Sequence, residues 1–174
     1  MSKYIVIAEE GERDLIAKYL PGCDYPVIVT GVGAINIIRS LRDLPREAEL
    51  INIGFAGSAN FDIGTLVEVT EVRLNHPNVT YPEPVLKLSP LQELLSTLSA
   101  SGLSTLSDSG LSTLSEAVCY SNCDFVLASD YKDCVFDMEL AFIAALGFKS
   151  LASLKIVSDN LSLHAYHDLT HGVE

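Results

Sequence analysis

Acidic side chains stand at three places where short apolar runs end. Glu9, Glu10 and Glu12 follow the first run, Asp137 and Glu139 flank Met138, and Asp159 lies in the stretch Val-Ser-Asp-Asn, residues 157–160, after the last. If those runs are strands of one sheet their ends converge, so the carboxylates can share a cleft and divide acid and base duties between them. Taken singly, Glu139 also reads as a solvated helix residue or a partner of a helix dipole, and Asp159 as a helix N-cap.

Two glycine pairs lie between these acids, Thr-Gly-Val-Gly at 30–33 and Gly54-Phe55-Ala56-Gly57. Read as turns, they let backbone N–H groups approach an anion or a ribose, although such turns also serve tight packing alone. The first lacks the full dinucleotide-binding spacing, and the second lacks the Gly-Lys-Ser/Thr ending of a triphosphate loop. His164, His167 and His171 fall at i, i+3 and i+7. With no Cys or acidic partner at matching spacing, they read as an exposed terminal turn, and no metal is expected. Cys119 and Cys123 alone complete no tetrahedral site.

Alternating strands and helices must position these groups. Strands are expected over Tyr4–Ala8, Val27–Val29, Leu50–Ile53, Gly64–Leu74, Val118–Leu127 and Ser153–Val157. Helices are expected over Gly11–Leu20, burying Leu15, Ile16, Tyr19 and Leu20, and over Ala34–Leu41, with Ile35, Ile38 and Leu41 at helical spacing. A third, Asp137–Leu146, should bury Met138, Ala141, Phe142 and Ala145. This alternation predicts an α/β fold with a mostly parallel or mixed sheet covered by helices on both faces, hence three layers. Three tandem octads, LSTLSASG, LSTLSDSG and LSTLSEAV, sustain neither helical nor strand periodicity. They read as a low-complexity surface insertion, at about 89–117, in a single domain spanning 1–174.

A chain of 174 residues that is 48% hydrophobic fits one buried core. Its formal net charge of -12 sets it against phosphate backbones and anionic lipid surfaces, so a small molecule is the expected partner rather than nucleic acid or membrane. No stretch reaches the roughly 18 apolar residues of a membrane span. Four cysteines without a secreted framework pattern read as reduced thiols, and the expected location is the cytoplasm.

In order along the chain, the acidic cluster, TGVG, NIGFAG, SNCDF, FDMELAF and VSDN resemble the 5'-methylthioadenosine/S-adenosylhomocysteine nucleosidases of the purine nucleoside phosphorylase superfamily. The resemblance covers nearly the whole chain except the leucine-serine octads. It implies that Glu12 activates the attacking water and that Glu139 binds the ribose hydroxyls, with Met138 packed under the sugar. It further implies that Asp159, after Ser158, protonates purine N7 while Phe125 stacks on the base, with Phe55, Ala56 and Gly57 also at the substrate. As the N-glycosidic bond breaks, the ribose gains oxocarbenium character and the purine negative charge, so an acid at N7 and a carboxylate near the sugar both help.

Asn52 stands where phosphorylases of the superfamily carry an arginine, which implies water as the nucleophile. Phe55 replaces a small hydroxyl residue, and Lys155 an arginine. The expected activity is hydrolysis of a purine nucleoside by a homodimer without a cofactor. Its alternatives are phosphorolysis, with phosphate held by TGVG and Arg39 or Arg73, and a nucleoside-binding relative without turnover.

Overall fold

The computed structural model describes residues 2–75, 85–95 and 114–162. The chain begins with β1 (Lys3–Ile7), a 3-10 turn (Glu10–Glu12), α1 (Arg13–Tyr19), β2 (Val27–Val29) and α2 (Ala34–Leu41). Next come β3 (Glu49–Gly57), β4 (Leu66–Leu74), β5 (Val85–Lys87) and α3 (Leu91–Leu95). After these follow β6 (Ser115–Ser121), β7 (Cys134–Asp137), α4 (Leu140–Ala145) and β8 (Ser150–Asp159).

The sheet is mixed, with the order β2-β1-β3-β7-β6-β4-β5, and β8 pairs with both β3 and β4. β1 runs parallel to β2 and β3, β3 parallel to β8, and β6 parallel to β4 and β7, while β8 and β4 are antiparallel. One antiparallel pair, Gly57 with Phe136, joins β3 to β7 and so closes β3, β8, β4, β6 and β7 on themselves. β8 is buried from Leu151 to Asp159, and the polar residues that interrupt its apolar ones there, Ser153, Lys155, Ser158 and Asp159, each have a hydrogen-bond or ion-pair partner.

Two apolar clusters take alternate residues of β1: Val6 in one, Ile5 and Ile7 in the other. The first also holds Ile37 and Leu41 of α2 with Leu140, Ala141 and Ile143 of α4, and the second holds Leu15, Ile16 and Tyr19 of α1 with Leu91 and Leu94 of α3. Among the described residues, no helix is long and apolar enough to cross a membrane.

Several expectations change. α2 buries Ile37 and Leu41 but leaves Ile35 73% and Ile38 46% exposed, because its inward face centres on Ile37 and Leu41 and shares only Leu41 with the stripe expected. The third helix is shorter than Asp137–Leu146: Asp137 ends β7 and Glu139 caps α4, which buries Leu140, Ala141 and Ile143 while Ala145 stays exposed. β6 stops at Ser121, and 122–133 carry neither helix nor strand. Gly54 and Gly57 do not form a turn but lie within the end of β3. At the flanks of the expected insertion, Leu91 and Leu94 are core residues and Ser115 opens β6; 96–113 fall outside the described residues, as do the three C-terminal histidines.

Candidate active site

Strand ends converge on one cavity of about 310 Å³. Glu12, Glu139 and Asp159 all line it, with Met138, Phe125, Ser158, Phe55, Ala56 and Gly57. Of the first acidic group, Glu9 also faces the cavity, whereas Glu10 pairs at the surface with Arg13.

Glu12 is held by backbone alone. Its Oε2 accepts hydrogen bonds from the N–H groups of Ala8 (2.7 Å) and Glu9 (3.1 Å), and its Oε1 from that of Phe55 (3.0 Å). A carboxylate has about four lone-pair positions, so one remains on Oε1 for a further donor. Burial pushes this carboxyl above its ordinary range, opposed by the nearby Lys155 ammonium and the three N–H groups. The approach to β3 depends on Gly54, where a Cβ would lie 2.7 Å from Glu12 Oε1.

Three residues further along the same end of β3 the device recurs, for a Cβ on Gly57 would lie 2.8 Å from Asp159 Oδ1. Asp159 is 1% exposed. Its Oδ1 accepts the Leu161 N–H at 2.9 Å, and its Oδ2 accepts the Ser158 hydroxyl at 2.7 Å. The Ser158 hydroxyl also lies 3.4 Å from the Ala56 carbonyl. It can therefore turn to that carbonyl and accept from Asp159 when the acid is protonated, so either state of the carboxyl is satisfied. The Asp159 bond also helps hold Leu161, a pocket-lining residue, at a φ of 65°, a left-handed conformation costly for a side-chain-bearing residue.

Glu139 spans two elements. Its Oε1 accepts the Gly33 N–H at 3.3 Å and its Oε2 the Met138 N–H at 3.2 Å. The Thr30–Gly33 segment is a bend between β2 and α2, with φ of 81° at Gly31 and 88° at Gly33, and it offers an amide to this carboxylate. Burial, then the charge of Asp137, raises the Glu139 carboxyl to about 7.

Beneath the cavity lies a buried ion pair, Lys155 Nζ to Asp137 Oδ2 at 2.7 Å. Asp137 also accepts the Ser121 hydroxyl (2.5 Å) and the Leu140 N–H (3.1 Å), and Ser121 Oγ accepts the Ala141 N–H (2.8 Å). The pair thus fixes the start of α4, just after Glu139. Burial opposes the charge on Asp137, but the Lys155 ammonium, helped by hydrogen bonds from Ser121 and Cys119, holds the carboxyl below its usual range. The roles of Ser121 and of Asp137 as anchor could not be read from spacing, since both act through partners distant in the chain.

Asn52 turns away from the site. Its amide donates to the Val6 carbonyl and accepts from Ser153 Oγ inside the sheet. Arg73 pairs with Glu71, Arg39 is exposed, and neither lines the cavity. Cys119 is buried and Cys123 exposed.

No family model matches the chain, and none of the curated proteins does. Solved structures do. The Helicobacter pylori 5'-methylthioadenosine/S-adenosylhomocysteine nucleosidase with butyl-thio-DADMe-Immucillin-A is 20% identical, over 98% of this chain and 92% of that one, at a TM-score of 0.68. The Neisseria meningitidis nucleosidase of the same name, with methylthio-immucillin-A, is 15% identical over 97% and 91%, at 0.69. The futalosine hydrolase of Helicobacter pylori is 19% identical over 98% and 91%, at 0.67. Across nearly its whole length, the chain has the fold of the 5'-methylthioadenosine/S-adenosylhomocysteine nucleosidases.

Proposed function

We propose that the chain is an N-glycosidase that hydrolyses a purine nucleoside, of the 5'-methylthioadenosine or S-adenosylhomocysteine type, and releases the free base. The observation that carries this reading is the meeting of Glu12, Glu139 and Asp159 in one cavity, among whose described lining residues there is no Lys or Arg. Asp159 is the acid that delivers a proton to N7 as the C–N bond lengthens, with Ser158 orienting it and Phe125 stacking on the base. Glu12, through the open lone pair of Oε1, takes a proton from water as it attacks C1'. Glu139 binds the ribose hydroxyls, over Met138, while Phe55, Ala56 and Gly57 bound the pocket beside β3. The fold shared with solved nucleosidases supports this reading, which does not require a cofactor.

Water rather than phosphate is the nucleophile, because the described residues of the cavity lining include no Lys or Arg to hold a phosphate dianion beside so many carboxylates. Product analysis tests this. The free pentose, still carrying its 5-thio substituent, should appear with the base at the same rate with and without phosphate, and a pentose 1-phosphate formed only when phosphate is added would reverse the assignment.

Three broader readings belong here. The helix pairs α1 with α3 and α2 with α4, each packed in its own cluster, support a three-layer architecture. A homodimer is supported by exposed Val32, just before α2, and by exposed Ile35 and Ile38 on α2, with Val32 also at the cavity; sedimentation showing a monomer at micromolar concentration would refute it. Four free cysteines support a reducing compartment such as the cytoplasm.

A further inference from the structure

We infer that Tyr131 is a positioning residue for the purine base: its ring clasps residues 122–133 onto β6 and so holds Phe125 at the cavity. The inference rests on the reading of Phe125 as the side chain that stacks on the base.

The wall to which Phe125 belongs is built apart from the two main clusters. Buried Cys134, Phe136 and Leu161 form a small cluster of their own, on which Tyr120 and Val126 pack. Phe136, Leu161, Val126 and Phe125 line the cavity. Two of those four come from 122–133, a segment with neither helix nor strand and so without a regular backbone ladder to place it. Its first end is tied to the sheet by Asn122, whose N–H donates to the Asp137 carbonyl at 2.9 Å and whose side-chain amide donates to the Tyr120 carbonyl at 3.1 Å. Towards its other end the ring of Tyr131 stacks on that of Tyr120, with centroids 4.8 Å apart.

Tyr120 is a fixed platform for that stack. It is the register partner of Phe136 in the parallel β6–β7 pair, with ring centroids 5.9 Å apart, and the Arg73 guanidinium lies 5.8 Å from its ring centroid. Aromatic contact therefore runs from Tyr131, 50% exposed, through Tyr120 to Phe136 at the cavity. Phe125 stands between the Asn122 tie and the Tyr131 stack. Freeing the second lets its ring take more positions, and substrate binding must then order it again. Glu12, Glu139 and Asp159 lie outside the segment, so the loss falls on binding shared by substrate and transition state rather than on the chemical step.

The test follows base release from 5'-methylthioadenosine together with the Kd of an unreactive nucleoside analogue. Tyr131→Ala should raise KM and Kd by about 5–10-fold, the worth of one stacked aromatic pair, while kcat changes by less than about 2-fold. Tyr131→Phe keeps the ring and should restore both constants. On a Phe125→Ala background, Tyr131→Ala should raise them no further, because the clasp acts through Phe125. Should Tyr131→Ala fail to fold, Tyr131→Leu, which keeps bulk without an aromatic face, is judged by the same criteria. Unchanged KM and Kd, a Phe variant as impaired as the Ala variant, or an equal loss with and without Phe125 would each overturn the inference. If the parent releases no base, the hydrolytic reading fails instead, and the Kd series decides the clasp. Weaker analogue binding by Tyr131→Ala, restored by Tyr131→Phe, upholds it, and equal or absent binding across the series overturns it.

Discussion

Glu139 has its carboxyl raised to about 7, first by burial and then by the neighbouring Asp137 charge. A carboxyl raised on folding holds a proton that the unfolded chain has already lost. Its contribution to stability is therefore complete below pH 4.5 and disappears as pH climbs through about 7. Glu139→Gln, which cannot ionise, should gain stability relative to the parent above pH 7 and show no such gain below pH 4.5, read as the difference in Tm between the two proteins across that range. A difference independent of pH would remove the burial argument. Lys155 poses the opposite case: Lys155→Met strands the buried Asp137 charge and should cost about 3–5 kcal/mol in urea unfolding, and adding Asp137→Asn should recover most of it. If the double variant is no more stable than the single, the ion pair is not what holds the start of α4.

The end of β3 shows what strand glycines do when they are not turns. Gly54 admits the Glu12 carboxylate to the strand edge, and a Cβ there would come within 2.7 Å of Oε1. Because the displaced atom is the tip of a side chain, Gly54→Ala should change stability little, by under about 1 kcal/mol, yet move the base and lower kcat by about 10²-fold. Parallel unfolding and turnover measurements separate these effects, and a variant with parental turnover would show that Glu12 tolerates displacement. Pattern alone could not distinguish the two uses of glycine. Gly-x-Gly spacing looks the same whether backbone freedom is needed for a positive φ, as at Gly31 and Gly33, or for close approach, as at Gly54 and Gly57. β7 escaped notice for another reason: four residues flanked by the irregular 122–133 stretch and by Met138 give too short a period-two pattern to separate from a helix start. α2, by contrast, was legible in its bounds, since Gly33 and Leu41 mark its ends, but not in its face, because Ile35, Ile37 and Ile38 offer competing stripes.

For the whole molecule, the apolar runs broken by glycine and acid made the α/β alternation readable, and with it the prospect that the acids meet. The closing of β3, β8, β4, β6 and β7 on themselves was not readable, since it depends on β8 pairing with β3 on one side and β4 on the other, contacts far apart in sequence. That closure brings Asp159 of β8, Glu139 after β7 and Glu12 after β1 to one cavity. The account stands on those three carboxylates acting together on an N-glycosidic bond. Its most direct test measures, in the parent and in Asp159→Asn, the rate of base release from a purine nucleoside alongside the Kd for an unreactive nucleoside analogue. The account predicts base release by the parent, a fall of about 10²–10⁴-fold in the variant, and a Kd changed far less, because the amide keeps the shape and a hydrogen bond but brings no proton to N7. Base release by the variant at the parental rate would contradict it.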